Sequence, residues 1–248
     1  MSLQEARELF SEFEIDTLQE TTNGLVDTTY LTTHYVIKKF ENKGRQTQKE
    51  LLQHMQKEGL NVPVLLASSG GWHLYSRLRG KQLKHPKYPH IAALARFLKR
   101  LHMLNLPCKK PFYDEKVIKK ELRFTKKHFF FYFKRFEELI CYKPKNECFI
   151  HGDLFLDNAV FEANKIGVFD FGDSGCGEAV FDAGVALVAF GVENKAGVVE
   201  LFLRIYNQNN TKKMTKEALQ NGMRYARFYY ALRRVAHYKR VKEAKQLL

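Results

Sequence analysis

Apolar and polar positions change rhythm once along the chain. Over roughly the first eighty residues the pattern is strand-like. Glu14–Thr22 reads as a first strand and Asn23-Gly24 as a turn. Leu25–Thr33 and Tyr35–Phe40 are rich in Val, Ile, Thr and Tyr with a break at His34, which predicts a meander. Gln46–Lys57 reads as a helix, with Leu51, Leu52 and Met55 on one face. Val62–Leu66 is extended, because Pro63 pushes the residue before it out of the helical region. A Ser69-Gly70-Gly71 turn leads into a strand over Trp72–Leu78, and Gly80 follows closely.

Beyond about residue 82 the period becomes helical. Ile91, Leu94, Ala95, Leu98, Leu101 and His102 form one stripe, and Pro89 sits where a first-turn proline is tolerated. His102, at the end of that stripe, is expected to pack rather than react. Glu115–Leu139 predicts a basic helical region holding the run Phe129–Phe133. Five adjacent rings more often build a core than a cage for a quaternary ammonium group, because each buries so much surface. Ile150–Phe171 reads as loop and short strands, and Val180–Phe190, Val198–Tyr206 and Thr215–Leu247 as helices. The expected organisation is therefore a β-rich lobe over 1–79 and a larger helical lobe over 80–248.

Composition changes this picture little. The chain has 248 residues, 45% hydrophobic and 27% charged, which excludes disorder as its main state. Ala179–Val192 is the most apolar stretch and Asp182 interrupts it, so no membrane span is expected. The N-terminus lacks the basic-then-apolar pattern of a secretory signal, and none of the four cysteines stands in CxxC spacing. Reduced thiols and a cytoplasmic location follow as expectations. Charge changes it more. The net charge is +14, and Lys109–Arg135 and Lys212–Leu248 carry +7 and +9, so the remainder is close to neutral. Such a field favours anionic ligands, although a nucleic-acid partner needs more than charge and is not expected.

Chemistry concentrates in Phe149-Ile150-His151-Gly152-Asp153-Leu154-Phe155-Leu156-Asp157-Asn158 and in Ile166-Gly167-Val168-Phe169-Asp170-Phe171-Gly172-Asp173. An apolar β-like segment presents Asp170 at its end. One amide and one carboxylate suit Mg²⁺, which binds few protein groups and keeps phosphate oxygens and water. A further carboxylate can take a proton from a hydroxyl nucleophile.

The order His-Gly-Asp-Leu-x-x-x-Asn, then Asp-Phe-Gly-Asp, resembles the aminoglycoside phosphotransferase and choline kinase superfamily of small-molecule kinases, nearest its type II homoserine kinase-like branch. Protein kinases carry a related pair of motifs. Glu178-x-x-x-Asp182 is similar to the family's acidic residue followed by a buried Asp that opens a helix. The resemblance covers roughly residues 15–245 and is most specific over Phe149–Asp182. It implies an α+β, two-lobed protein-kinase-like fold and an enzyme that uses ATP and Mg²⁺. By resemblance Asp153 is the catalytic base, Asn158 and Asp170 hold the metal, and His151 braces the loop. Lys38, after the apolar pair Val36-Ile37, matches the phosphate-binding lysine, and Glu50 in the next helix its ion-pair partner. Ser76 and Leu78 flank the hinge whose backbone binds adenine. Thr21–Tyr30 stands where a Gly-rich loop belongs, with the single glycine Gly24 and with Asp27 where the family often has Asn.

The implied reaction moves the γ-phosphate to a hydroxyl of a small metabolite. Homoserine is the favoured acceptor; choline, ethanolamine or an aminoglycoside, and a non-catalytic nucleotide- or polyanion-binding module, are the alternatives. The basic helices argue for a zwitterionic or anionic acceptor, its carboxylate held by one or more of Lys119, Lys120, Arg123, Arg227, Arg233 or Arg234. Asp173, Glu178 and Asp182 are candidates for holding an ammonium group. Cys176 has no activating neighbour in sequence and is expected to be inert.

Overall fold

The computed structural model describes residues 1–21, 27–41, 49–106, 111–142, 144–236 and 240–247. The expected Asn23-Gly24 turn, the Gly24 loop, the start of the helix expected from Gln46, and Cys108 lie outside these residues. In chain order the first elements are α1 (Leu3–Leu9), β1 (Gln19–Glu20), β2 (Thr28–Leu31), β3 (Tyr35–Lys39), α2 (Lys49–Lys57), β4 (Leu65–Ser69) and β5 (Trp72–Ser76). Next come α3 (Tyr88–Met103), α4 (Glu115–His128), α5 (Phe130–Phe136), α6 (Glu138–Cys141) and β6 (Cys148–Ile150). The last are β7 (Ala159–Glu162), β8 (Lys165–Val168), β9 (Gly175–Gly177), α7 (Ala179–Ala189), α8 (Val198–Asn207), α9 (Lys216–Ala236) and α10 (Val241–Leu247).

Contacts divide the chain into two units, Met1–Gln82 with Ala159–Gly172, and Leu83–Asn158 with Asp173–Leu248. The first unit is an antiparallel sheet in the order β1-β2-β3-β5-β4. Ile37 and Leu74 are opposite one another in register and fully buried, sharing one face with Tyr30, Ala6 and Phe10. Helix α1, which strand-like patterning did not reveal, is started by Ser2: its hydroxyl accepts from the Glu5 N–H while Glu5 returns to the Ser2 N–H. The β7–β8 hairpin joins this unit through Lys81, which pairs with Phe161 in both directions, and Asn61, whose carbonyl accepts from Val168. The linear division at residue 79 placed this hairpin with the helical lobe; a pattern of apolar positions carries no record of a strand pair that returns to an earlier element.

The second unit is helical. α9 packs along α7 at two glycines: a Cβ on Gly184 would stand 2.4 Å from the Gly222 carbonyl carbon, and one on Gly222 2.1 Å from the Val180 oxygen. This approach fixes where α9 presents Tyr230 and Arg234. The expected Glu115–Leu139 helix is broken at Phe129 and Glu137. The core expectation for the aromatic run holds for three of its rings, Phe133 in the core with Phe129 and Tyr132 packed against it, and fails for the other two. Phe133 is 8% exposed, but Phe130 is 55% and Phe131 91% exposed. One helical stripe reaches the core, and adjacent residues 100° apart cannot all lie on it. Cys176 takes part in a disulfide, which corrects the expectation of reduced thiols; Cys141 and Cys148 are free. Among the described residues no helix is long and apolar enough to cross a membrane.

Candidate active site

Within the first unit, strand alternation puts Ile37 in the core and Lys38 on the opposite face. The Lys38 ammonium lies 3.2 Å from Asp27 Oδ2 and 3.0 Å from Asp170 Oδ1, and 4.8 Å from the Phe40 ring centroid. The expected partner, Glu50, is exposed in the first turn of α2, because Leu52 and Met55 define that helix's buried face and Glu50 points elsewhere. Asp27, noted in sequence only as a departure, takes the partner's place; its side chain is 6% exposed.

Asp170 follows β8 with a φ of 63°, a conformation few non-glycine residues adopt. Such strain, on the order of 1–3 kcal/mol, collects at functional sites. The Tyr75 hydroxyl is buried without a hydrogen bond, and burial, with the Asp170 charge adding to it, pushes its pKa up. Periodicity placed Tyr75 in a strand but could not mark it as polar and unpartnered. Ser76 uses its N–H and hydroxyl on Val64, which closes its peptide donor to a ligand. The peptide groups of Leu78 carry no such bond among the described residues.

Within the second unit the motif leaves β6 as a braced loop. Gly152 has a φ of 78°, and a Cβ there would stand 2.2 Å from the Phe112 ring, so only glycine fits. Asp182, fully buried at the start of α7, accepts from the peptide N–H of His151 at 3.0 Å and of Gly152 at 2.8 Å. It also lies 3.0 Å from His102 Nε2, whose Nδ1 is 2.9 Å from the Tyr206 hydroxyl. Burial alone raises the Asp182 pKa; the His102 contact, the His151 charge and the Gly152 N–H outweigh it and hold the carboxyl below its ordinary range. His102 thus packs, as expected, but as a polar brace. Asp182 and Glu178 are both committed: Glu178 accepts from the Tyr142 hydroxyl at 2.8 Å and the Lys145 N–H at 2.9 Å. Neither is available for an ammonium group, which corrects the expectation for these two residues.

His151 is fully buried, and its Nδ1 accepts from the Asp153 N–H at 3.2 Å. Asn158 Nδ2 donates to the Asp153 carbonyl at 2.8 Å and to Asp153 Oδ2 at 3.3 Å. These bonds spend both amide hydrogens and leave Asn158 Oδ1 as a hard oxygen donor. From α9 the Tyr230 hydroxyl donates to the Gly152 carbonyl. Burial, with the charge of Asp153 adding to it, raises the Tyr230 pKa, so this donor keeps its proton at any ordinary pH. Each unit therefore holds part of the candidate set: Lys38, Asp27 and Asp170 in one, Asp153 and Asn158 in the other.

Comparison with known proteins identifies the family and the fold. The homoserine kinase of Janthinobacterium sp. (strain Marseille) is 24% identical over 217 residues, covering 73% of this chain and 64% of that enzyme. The chain thus spans less than two thirds of that relative. The homoserine kinase of Methylobacillus glycogenes is 24% identical over 254 aligned positions, covering 85% and 76%. Among solved structures, the ADP-bound aminoglycoside phosphotransferase APH(2'')-Ib superposes with a TM-score of 0.70 at 21% identity, covering 100% of this chain and 97% of that one. The macrolide 2'-phosphotransferase MphH of Brachybacterium faecium gives 0.72 at 15% identity, covering 99% and 97%. The fold is the kinase-like, two-lobed fold of these enzymes. The phosphotransferase enzyme family model matches residues 17–216, a span that includes the braced His151–Asn158 loop and the Asp170 turn, and this chain belongs to that family of small-molecule phosphotransferases.

Proposed function

We propose that the protein transfers the γ-phosphate of ATP to the hydroxyl of a small metabolite, an amino-acid alcohol such as homoserine being favoured. The observation that carries this is the Asp153 carboxylate met by the Asn158 amide, on a loop that the His151 ring braces at the Asp153 N–H and that Asp182 anchors. In this reading Asp153 accepts the hydroxyl proton as the acceptor oxygen bonds to the γ-phosphorus and the bond to ADP breaks. In the same reading Lys38, held between two carboxylates, supplies the cation for the nucleotide phosphates, and the unspent peptide groups of Leu78 serve to bind the base. Asn158 Oδ1 and the Asp170 carboxylate fit Mg²⁺ by donor type, since both are hard oxygens. When bound, the ion neutralises phosphate charge.

The homoserine preference draws on the two curated relatives and on the excess positive charge of the helical unit, which disfavours polycationic acceptors. ADP release with homoserine, choline, ethanolamine and kanamycin, each with Mg²⁺ and ATP, tests it. The highest kcat/KM is expected for homoserine. Preference for kanamycin defeats the charge argument, and retention on heparin without turnover of any alcohol favours a polyanion-binding module.

A further inference from the structure

Of the six cations considered as carboxylate holders, three already have close partners. Lys119 lies 2.6 Å from Glu115, Arg227 2.7 Å from Glu193 and Arg233 2.7 Å from Glu121. Lys120 and Arg123 are exposed on α4, where water competes for them. Arg234 differs. Its ion pair with the half-exposed Glu243 is long, 3.6 Å from Nε, and its Nη1 is buried with no hydrogen-bond acceptor. A buried guanidinium N–H without an acceptor is costly, and native structures rarely leave one so.

Position makes the unspent donor informative. Arg234 stands one helical turn beyond Tyr230, the residue whose hydroxyl holds the Gly152 carbonyl next to Asp153. Its guanidinium lies 5.7 Å from the ring centroid of Phe155, two residues after Asp153. The Phe155 ring in turn meets Tyr230 edge-on at 5.0 Å. The ring holds the cation beside the loop, and the planar fork of guanidinium donors matches a flat anion. The side chain is 23% exposed while Nη1 is buried, so the group spans the boundary between water and the loop. Among the described residues the long Glu243 contact is the one carboxylate contact of this guanidinium, which leaves donors for a bound anion.

We infer that Arg234 binds the carboxylate of the acceptor, and thereby selects amino-acid alcohols over their decarboxylated counterparts. This rests on the kinase reading above and adds to it the residue that sets acceptor class. A carboxylate takes two N–H bonds from an arginine side by side, whereas an alcohol or ammonium group gains nothing there. Lysine at this place retains charge but not the paired donors.

The test compares L-homoserine with 3-amino-1-propanol, which lacks only the carboxylate. In the wild-type protein kcat/KM is expected to favour homoserine. Arg234→Met is expected to lower that preference about 10- to 150-fold, the worth of hydrogen bonds to a charged group, and Arg234→Lys to lower it less. Arg227→Gln, whose guanidinium is bound to Glu193, serves as the control and leaves the ratio in place. An unaltered ratio in a folded Arg234→Met protein overturns the inference. So does a wild-type protein that phosphorylates only choline, ethanolamine or an amino sugar, with the kinase reading left standing. If no alcohol supports turnover, the proposed function fails, and calorimetric binding of L-homoserine decides the inference alone: equal affinity in wild type and Arg234→Met overturns it.

Discussion

Asp182 accepts the peptide hydrogens of His151 and Gly152 with its two oxygens while its Oδ2 meets His102 Nε2 at 3.0 Å. One buried carboxylate thus ties the loop that carries Asp153 to α3 and to the start of α7. Breaking a buried pair from one side costs about 3–5 kcal/mol. Asp182→Ala is therefore expected to lower the melting temperature by on the order of 10 °C, read by differential scanning calorimetry. The direction with pH follows from the depressed pKa. A carboxyl held below its unfolded value of 3.8 contributes stability that is present above that value and is lost as pH falls through the folded value. The wild type should lose melting temperature more steeply than Asp182→Asn below about pH 4. Parallel curves would mean that Asp182 carries no such linkage.

Gly152→Ala places a methyl group 2.2 Å from the Phe112 ring at a φ of 78°. The backbone strain alone is about 1–3 kcal/mol, and Phe112 must shift as well. Loss of melting temperature together with loss of phosphoryl transfer is expected. Full activity at unchanged stability would show that the loop accommodates a side chain there.

Asp153→Asn should keep the fold and nucleotide binding and lose roughly 10²- to 10⁴-fold in kcat, the usual worth of a general base. Circular dichroism and nucleotide titration check the first two. Turnover close to that of the wild type would remove Asp153 from the role.

Asp170→Ala should weaken ATP binding about 10- to 100-fold when Mg²⁺ is present, as loss of a metal contact does. Without the metal, affinity should hold, because Lys38 keeps Asp27 and gains freedom to meet phosphate. Equal losses with and without Mg²⁺ would point to a damaged fold instead.

The loop carrying Asp153 and Asn158 was legible because its chemistry is local: they stand five positions apart, and one short turn joins them. The same holds for α3, whose stripe of Ile91, Leu94 and Leu98 is buried as its period requires. What sequence missed is non-local. Asp27 and Lys38 are eleven positions apart on neighbouring segments, and nothing in their spacing ranks Asp27 above Glu50. Asp182 was visible as an acidic residue opening a helix, but its partners His102 and His151 come from 80 and 31 residues away. The unspent donor of Arg234 is invisible in sequence, since it is defined by what does not touch it.

The β7–β8 hairpin, by joining the sheet unit from within the helical sequence, makes the polypeptide pass from one unit to the other at residues 82, 158 and 172. Neither unit is a contiguous stretch of the gene. Cutting the coding sequence at residue 82 yields a sheet fragment that lacks Asp170 and the strand pair seated on Lys81 and Asn61. A swap of nucleotide preference between relatives consequently needs three junctions, and a two-piece exchange would separate Lys38 from Asp170 while leaving it Asp27.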